Sequence, residues 1–274
     1  MTRATGSSIF DDWLLRWNLR VDGEPISTHC SDLLPVRFGA EPAMLKIARE
    51  PDTRWAWLLM EYWGGEGAAR VFAHDGDALL LERAMGTRSL ARMTYDGRDD
   101  EAIGILCAAA ARLHAPRPRP LPDQLLPLRE WFAPLAPAAR AHGGILARAD
   151  AVASELFARP REPVTLHGDL HHENVLDGTE RGWLAIDPMR LYGERGFDFV
   201  NLMRNPDPHE DIGLKRERFA RRVDLIVEAA GIERERLLQW TLAFAGLSAA
   251  WILGDGDEPA ADFAVAGMAL AELG

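Results

Sequence analysis

The spacing of the apolar residues changes once along this chain, and that change limits the folds open to it. Up to residue 83 the apolar runs are short and mostly alternate with polar side chains, the two-residue period of a strand. Strands are expected at 17–21, 33–38, 43–48, 69–74 and 78–82. Asp22-Gly23-Glu24-Pro25, Gly39-Ala40-Glu41-Pro42 and Asp75-Gly76 supply the turns between them. One helix is interleaved near 52–63, where Trp55, Leu58, Leu59 and Tyr62 fall at i, i+3, i+4, i+7 and Gly64 to Gly67 end the run. From Met85 onward the period becomes helical, as in the stripe Ile103, Leu106, Ala110, Leu113. Helices are expected near 144–158, 216–230, 235–252 and 260–273, and the run 237–253 is apolar nearly all round, as a central buried helix would be. Three short strand-like pieces, 163–166, 174–176 and 183–186, lie among them, and residues 116–127 read as a proline-rich surface connector. The expected architecture is α+β in two lobes: a small five-stranded antiparallel sheet lobe with one helix over 1–83, and a mainly helical lobe over 84–274.

The 274 residues are enough for one large domain or two modest ones at about 150 residues each. Thirty-one basic against forty-two acidic residues give a net charge of −11, which argues against gripping nucleic-acid phosphates and suits a cationic small molecule. Cys30 and Cys107 are too few for a disulfide framework, and no C-x-x-C metal pairing exists. Met1 to Phe10 lacks an apolar core with basic flanks. The run 237–253 is interrupted by Gln239, Thr241 and Ser248, too short and polar to span a bilayer. The expectation is a cytoplasmic protein without nucleic-acid, membrane or obligate protein partners.

The most informative stretch is Leu166-His167-Gly168-Asp169-Leu170-His171-His172-Glu173-Asn174-Val175-Leu176, followed by Ile186-Asp187-Pro188. An aspartate, an asparagine five positions on and a second aspartate after a short strand are what phosphoryl transfer needs. Asn174 and Asp187 offer hard oxygens to magnesium, and Asp169 can orient an acceptor hydroxyl and take its proton. A competing reading makes His167, Asp169, His171 and His172 a zinc cluster, but it leaves Asn174 and Asp187 unexplained. His167 otherwise reads as a brace for its loop, and His171 and His172 as solvated or bracing.

Only Lys46 and Lys215 among the basic residues are lysine. Lys46 sits inside the expected strand Ala43-Met44-Leu45-Lys46-Ile47-Ala48, where a compact ammonium suits the phosphates of a confined nucleotide. A lysine facing water on an edge strand is the plainer alternative.

This order of strand lysine, His167-Gly168-Asp169 with Asn174, and Asp187-Pro188 resembles the aminoglycoside phosphotransferase family, a branch of the protein-kinase-like fold. Gly65 to Arg70, Leu80 to Arg83, Trp183 to Pro188 and Leu247 to Trp251 resemble its streptomycin 6-phosphotransferase and hydroxyurea-kinase members, from about residue 15 to the end. The resemblance implies ATP and Mg²⁺ as cofactors, Asp169 as catalytic base, Asn174 and Asp187 as magnesium ligands, and Lys46 as a phosphate clamp. It also implies adenine recognition by the Glu82 to Ala84 backbone. The implied reaction is γ-phosphoryl transfer to a hydroxyl of a streptomycin-like antibiotic, with hydroxyurea or another small alcohol as the alternative acceptor. Gly168 replaces the arginine of protein kinases, so no phosphorylation switch is expected, and no A-P-E element follows to hold a peptide.

Two features depart from the pattern. Ile26 to Ser31 contains no glycine, so phosphates would be met by Ser27, Thr28 and Ser31 through hydroxyls and backbone N–H groups. Thr53 stands where a helix carboxylate should pair with Lys46, leaving Asp52, or else Glu61, as the substitute. These departures motivate a second reading, a nucleotide-binding module without catalysis. Asp198 is either a brace for the catalytic loop or a helix-cap carboxylate. It is grouped with Trp251, Asp255, Asp257 and Glu258 as a candidate acceptor-side residue. The acidic trio otherwise reads as a solvated loop.

Overall fold

The computed structural model describes residues 8–51, 53–206 and 214–274. The first lobe is an antiparallel sheet of β1 (Leu19–Val21), β2 (Ile26–Ser27), β3 (Ser31–Phe38), β4 (Glu41–Ala48), β5 (Val71–Asp75) and β6 (Ala78–Glu82). Its order is β1-β3-β4-β6-β5, with β2 also paired to β3. Strand β2 is the addition to the five expected. Its two residues are both exposed and show no alternation; they are strand only because Ile26 pairs Leu33 and Ser27 pairs Asp32.

The sheet is buried on both faces, and β6 shows the two-residue period directly. Ala78 and Leu80 pack with Leu34, Val36 and Leu45 beneath α1 (Asp11–Arg16), which contributes Trp13 and Leu14. Leu79 and Leu81 face the other way, onto Ala56 and Met60 of α2 (Ala56–Trp63). A 3-10 turn, Thr53–Trp55, precedes α2, so the expected helix near 52–63 is α-helical only over its second part. Leu59 and Trp63, on the opposite side of α2, join the core of the second lobe, so this helix belongs to both.

The second lobe continues with α3 (Leu90–Tyr95), α4 (Asp99–His114), β7 (Leu126–Pro127), α5 (Leu128–Trp131), α6 (Leu135–His142), α7 (Gly144–Ala158) and β8 (Pro163–Leu166). A hairpin of β9 (Val175–Asp177) and β10 (Trp183–Ala185) follows, then β11 (Leu191–Glu194), α8 (Arg216–Ala230), α9 (Arg234–Asp255) and α10 (Ala260–Leu273). Strand β11 joins β7 and β8 into a three-stranded sheet. The helices expected at 216–230 and 260–273 are found at those limits. The short α3, α5 and α6 and the strands β7 and β11 are stabilised by tertiary contacts rather than by local pattern.

Helix α9 is long and apolar enough by length and composition to cross a membrane, but 72% of that window is buried inside the protein. Its apolar surface serves the core. Trp240 on α9 meets Phe132, Phe157 and Phe197 edge-on at 6.1, 5.5 and 5.8 Å between ring centroids. Phe197 thereby anchors a 3-10 segment, Arg195–Met203, buried throughout from Gly196 to Met203. The lobes are joined by main-chain bonds as well: Ala69 N–H donates to Ala185 O at 3.0 Å and Ala185 N–H to Gly67 O at 2.8 Å.

Candidate active site

Strand β8 ends at Leu166, and the loop that follows is held from below by one buried carboxylate. Asp198 accepts the Gly168 N–H at 2.7 Å and the His167 N–H at 2.9 Å, and lies 2.7 Å from His114 Nε2. Its side chain has no exposed surface, so it braces the loop and is not an acceptor-side residue. The brace reading holds over the helix-cap reading because both oxygens are spent on the loop and on α4.

Gly168 follows at φ +79°, and a Cβ there would lie 2.7 Å from Leu191 Cδ1 and 2.9 Å from Met189 Cβ. The left-handed backbone and the close approach both require glycine at this position. His167 is fully buried, stacked near Trp63 and bonded through Nε2 to Ile186 O at 2.8 Å. Burial pushes its pKa below the usual value. Met189 N–H donates to His167 O at 2.7 Å and Ile186 N–H to Asn174 O at 2.9 Å, joining the loop to the strand end that carries Asp187.

These bonds converge the polar groups. Lys46, Asp169, Asn174 and Asp187 line one cavity of about 360 Å³ between the lobes, with Ser31, Thr53, His171, Pro188 and Met189 among its other walls. Lys46 lies on the central strand β4, between β3 and β6, with its side chain 4% exposed, which disposes of the solvated edge-strand alternative. Its Nζ is 2.6 Å from Asp187 Oδ1. Asp187 sits at φ +56°, a strained conformation for a residue with a side chain and one that concentrates at functional sites. Asp52 lies outside the described residues. Glu61 does not reach Lys46: it is exposed and 3.4 Å from His74. Asp187 takes the ammonium directly.

Asp169 Oδ2 accepts Asn174 Nδ2 at 3.2 Å and lies 3.5 Å from His171 Nε2, and Oδ1 accepts Asn201 Nδ2 at 3.1 Å. Burial raises its pKa, but the hydrogen bonds and positive charge around it outweigh burial and leave the carboxyl below the usual range. Asp169 is therefore an ionised acceptor at neutral pH. Asn174 Nδ2 also donates to Asp169 O at 2.9 Å, which turns its Oδ1 away from that contact. Asp187 Oδ1 is buried without a well-aligned hydrogen bond despite the nearby ammonium. These oxygens are the hard-donor set that magnesium takes.

The zinc reading fails. Among the described residues no group of three or more His, Cys, Asp or Glu side chains could hold a metal ion. His172 is buried toward Arg222, with its pKa pushed down to about 2 by burial and then by that arginine.

The phosphate loop is only partly as expected. Ser27 Oγ donates to Asp32 at 2.6 Å and lies outside the cavity wall; an Arg49–Asp32 ion pair holds it there. The Thr28 hydroxyl closes its own turn onto Ser31 O at 2.9 Å and is spent. Ser31 Oγ is buried with no partner and remains available. At the strand-to-helix switch the Glu82 N–H is committed to Arg70 O at 2.8 Å and cannot donate to a base, and the Glu82 carboxylate accepts from Arg181 and Arg70 instead. The Ala84 N–H has no backbone partner among the described residues.

A second groove, of about 960 Å³, meets the first at Met189, which lines both. Trp251 and Asp255 line it, together with Glu130 and Trp131; Trp131 and Trp251 meet edge-on at 5.3 Å. Asp257 and Glu258 are exposed beyond the end of α9 and do not line it. Glu130, Trp131, Met189 and Asn201 were not identified from the sequence. Only Asn201 carried a usable signal, three residues after Asp198.

Residues 16–256 match the family model described as aminoglycoside/hydroxyurea antibiotic resistance kinase. A streptomycin 3''-kinase of Klebsiella pneumoniae is 54% identical over 261 residues, covering 93% of this chain and 97% of that protein. A streptomycin 6-kinase of Streptomyces griseus is 36% identical over 256 residues, covering 88% of this chain and 81% of that protein. Among solved structures, a thermostable aminoglycoside phosphotransferase variant in ternary complex with ADP and hygromycin B superposes with TM-score 0.67 at 14% identity, over 98% of this chain and 100% of that one. That last likeness concerns the fold.

Proposed function

Because this chain belongs to the aminoglycoside/hydroxyurea antibiotic resistance kinases and is a small-molecule kinase, we propose that it transfers the γ-phosphoryl group of ATP to a hydroxyl of streptomycin. The observation that carries this reading is the convergence of Lys46, Asp169, Asn174 and Asp187 on one cavity whose wall, at Met189, continues into a groove with two tryptophans and two carboxylates.

In this reading Lys46 Nζ contacts the α- and β-phosphates, and the Ser31 hydroxyl and the turn before it cap the phosphates from the first lobe. The Ala84 N–H meets the adenine edge. Asn174 Oδ1 and the Asp187 carboxylate would hold magnesium, which when bound would neutralise phosphate charge. Asp169 accepts the proton of the acceptor hydroxyl as its oxygen bonds to the γ-phosphorus and the bond to the departing ADP oxygen breaks. Catalysis then comes from in-line positioning and charge neutralisation by fixed groups.

Glu130 and Asp255 flank the Trp131–Trp251 pair, an arrangement that suits the flat cation of a guanidinium through charge-assisted hydrogen bonds and stacking. The net charge of −11 draws such cations in. The relative 54% identical is named for the 3'' position of streptomycin, so that hydroxyl is the expected site of attack.

The test incubates the protein with Mg-ATP and, separately, streptomycin, other aminoglycosides and hydroxyurea. Mass spectrometry and phosphorus NMR then read the product and the position. Streptomycin phosphorylated at 3'' is expected. Asp169→Ala should abolish turnover and keep nucleotide binding, and Asp187→Ala should lose magnesium-dependent nucleotide affinity. No phosphorylated acceptor with any of these compounds, or full turnover by Asp169→Ala, would overturn the proposal.

A further inference from the structure

The 3-10 segment Arg195–Met203 touches the catalytic loop twice. Asp198 takes the His167 and Gly168 amides, and Asn201 donates its side-chain amide to Asp169 Oδ1 at 3.1 Å. The spacing has a physical basis: a 3-10 helix has three residues per turn, so side chains at i and i+3 are eclipsed and present the same face. One turn of a fully buried segment thus offers two handles to the loop, one on its backbone and one on its carboxylate.

Asn201 is itself well held. It is 6% exposed, and its carbonyl accepts the Asn205 backbone N–H at 3.2 Å and Asn205 Nδ2 at 3.0 Å. The segment below it is pinned by Phe197 among Trp240, Phe132 and Phe244.

The geometry points to Asn201 as a positioning residue for the phosphoryl transfer: it fixes the orientation of the Asp169 carboxylate, on the reading of Asp169 as the base. With Oδ1 held by Asn201 and Oδ2 by Asn174, the carboxylate cannot turn about its terminal bond without giving up both donors. Two neutral amide donors hold the group while leaving it anionic, and an ionised carboxylate retains lone pairs for the acceptor proton. The two asparagines differ in their other duties. Asn174 also bonds the Asp169 carbonyl and offers its oxygen to the proposed metal position, whereas among the described residues the Asn201 side-chain N–H meets the base alone. Removing Asn201 should therefore disturb the chemical step and spare both substrates.

The experiment measures kcat and KM for ATP and for streptomycin, and melting temperature, in Asn201→Leu and Asn201→Asp, beside Asp169→Ala. Asn201→Leu removes the donor at similar volume and is expected to lower kcat about 10- to 100-fold, the cost of a misplaced reacting group. Both KM values should stay within about twofold, because uniform binding is untouched. Asn201→Asp keeps the shape but replaces the donor with a second acceptor that repels the Asp169 carboxylate, so kcat should fall at least as far as in the leucine variant. A folded Asn201→Leu with unchanged kcat, or one whose KM values rise while kcat holds, overturns the assignment. So does a folded Asn201→Asp whose kcat matches the parent, which decides the matter if the leucine variant does not fold. An inactive Asp169→Ala beside a fully active Asn201→Leu would remove only this inference, whereas an active Asp169→Ala removes the reading beneath it.

Discussion

Replacing Asp198 with asparagine alters one atom of a side chain with no exposed surface, and the consequence can be worked from its contacts. The carboxylate has three donors around it: the amides of His167 and Gly168 and the His114 ring nitrogen. An asparagine keeps one oxygen and turns an NH2 group toward at least one of those donors. One buried backbone N–H then has no acceptor, at about 1–3 kcal/mol, and a charge-assisted bond becomes neutral or is lost, at about 1.5–3 kcal/mol. A total near 4 kcal/mol is expected, which for a chain of this length lowers the melting temperature by about 7 °C. The loop carrying Asp169 loses its fixed position at the same time, and a displacement of about 1 Å in a reacting group costs on the order of a hundredfold in rate. Calorimetry with turnover at saturating substrates measures both effects. A melting temperature within about 1 °C of the parent together with unchanged kcat would refute the claim that this carboxylate holds the catalytic loop.

Gly168→Ala should destabilise by about 2–4 kcal/mol, since the new Cβ meets Met189 and Leu191 on a left-handed backbone; an unchanged urea midpoint would contradict this. Asp99 is bound by Arg218 and Arg222; burial raises its pKa, but the hydrogen bonds and charges of the two arginines win and hold it well below the usual carboxylate range. A folded pKa below the unfolded one gives stability that is present above the unfolded value near 3.8 and drains as pH falls through the folded one. Asp99→Asn should therefore lower the urea midpoint most at pH about 7 and by a smaller but still clear amount at pH about 3, the loss shrinking further as pH falls; a loss that does not shrink below pH about 4 would rule the linkage out. Of the two cysteines, Cys107 is buried with its thiol pushed up to about 12 by burial, while Cys30 lines the cavity with Lys46 and Asp169. A thiol reagent should label Cys30 alone in the native protein, and ATP should slow the labelling; equal labelling of both cysteines would show that the cavity or the core is misassigned.

Much of the fold was legible because its causes are local. Helices α8 and α10 carry their apolar stripes at a period that no other structure accommodates, and β3, β4 and β6 are bounded by turn residues that leave little choice. Strands β2, β7 and β11 were missed because two to four residues carry no period; their conformation is imposed by the partner strand. Helix α2 shows the intermediate case. Its stripe was plain, but not that Leu59 and Trp63 on one side and Ala56 and Met60 on the other would serve different cores.

By itself the sequence determined the order and spacing of the groups in the loop after β8, and the place of Lys46 in a strand, because five residues of loop or one strand of β-structure fix distance with few alternatives. Only the tertiary structure decided what those groups touch. Lys46 meets Asp187, 141 positions away, while Glu61 turns to His74; Ser27 turns aside to Asp32; Glu130 and Asp255 share a groove that Asp257 and Glu258, two and three residues further on, do not line. Pairing across such separations is set by how strands and helices pack, and packing depends on the whole core at once rather than on any window of the chain.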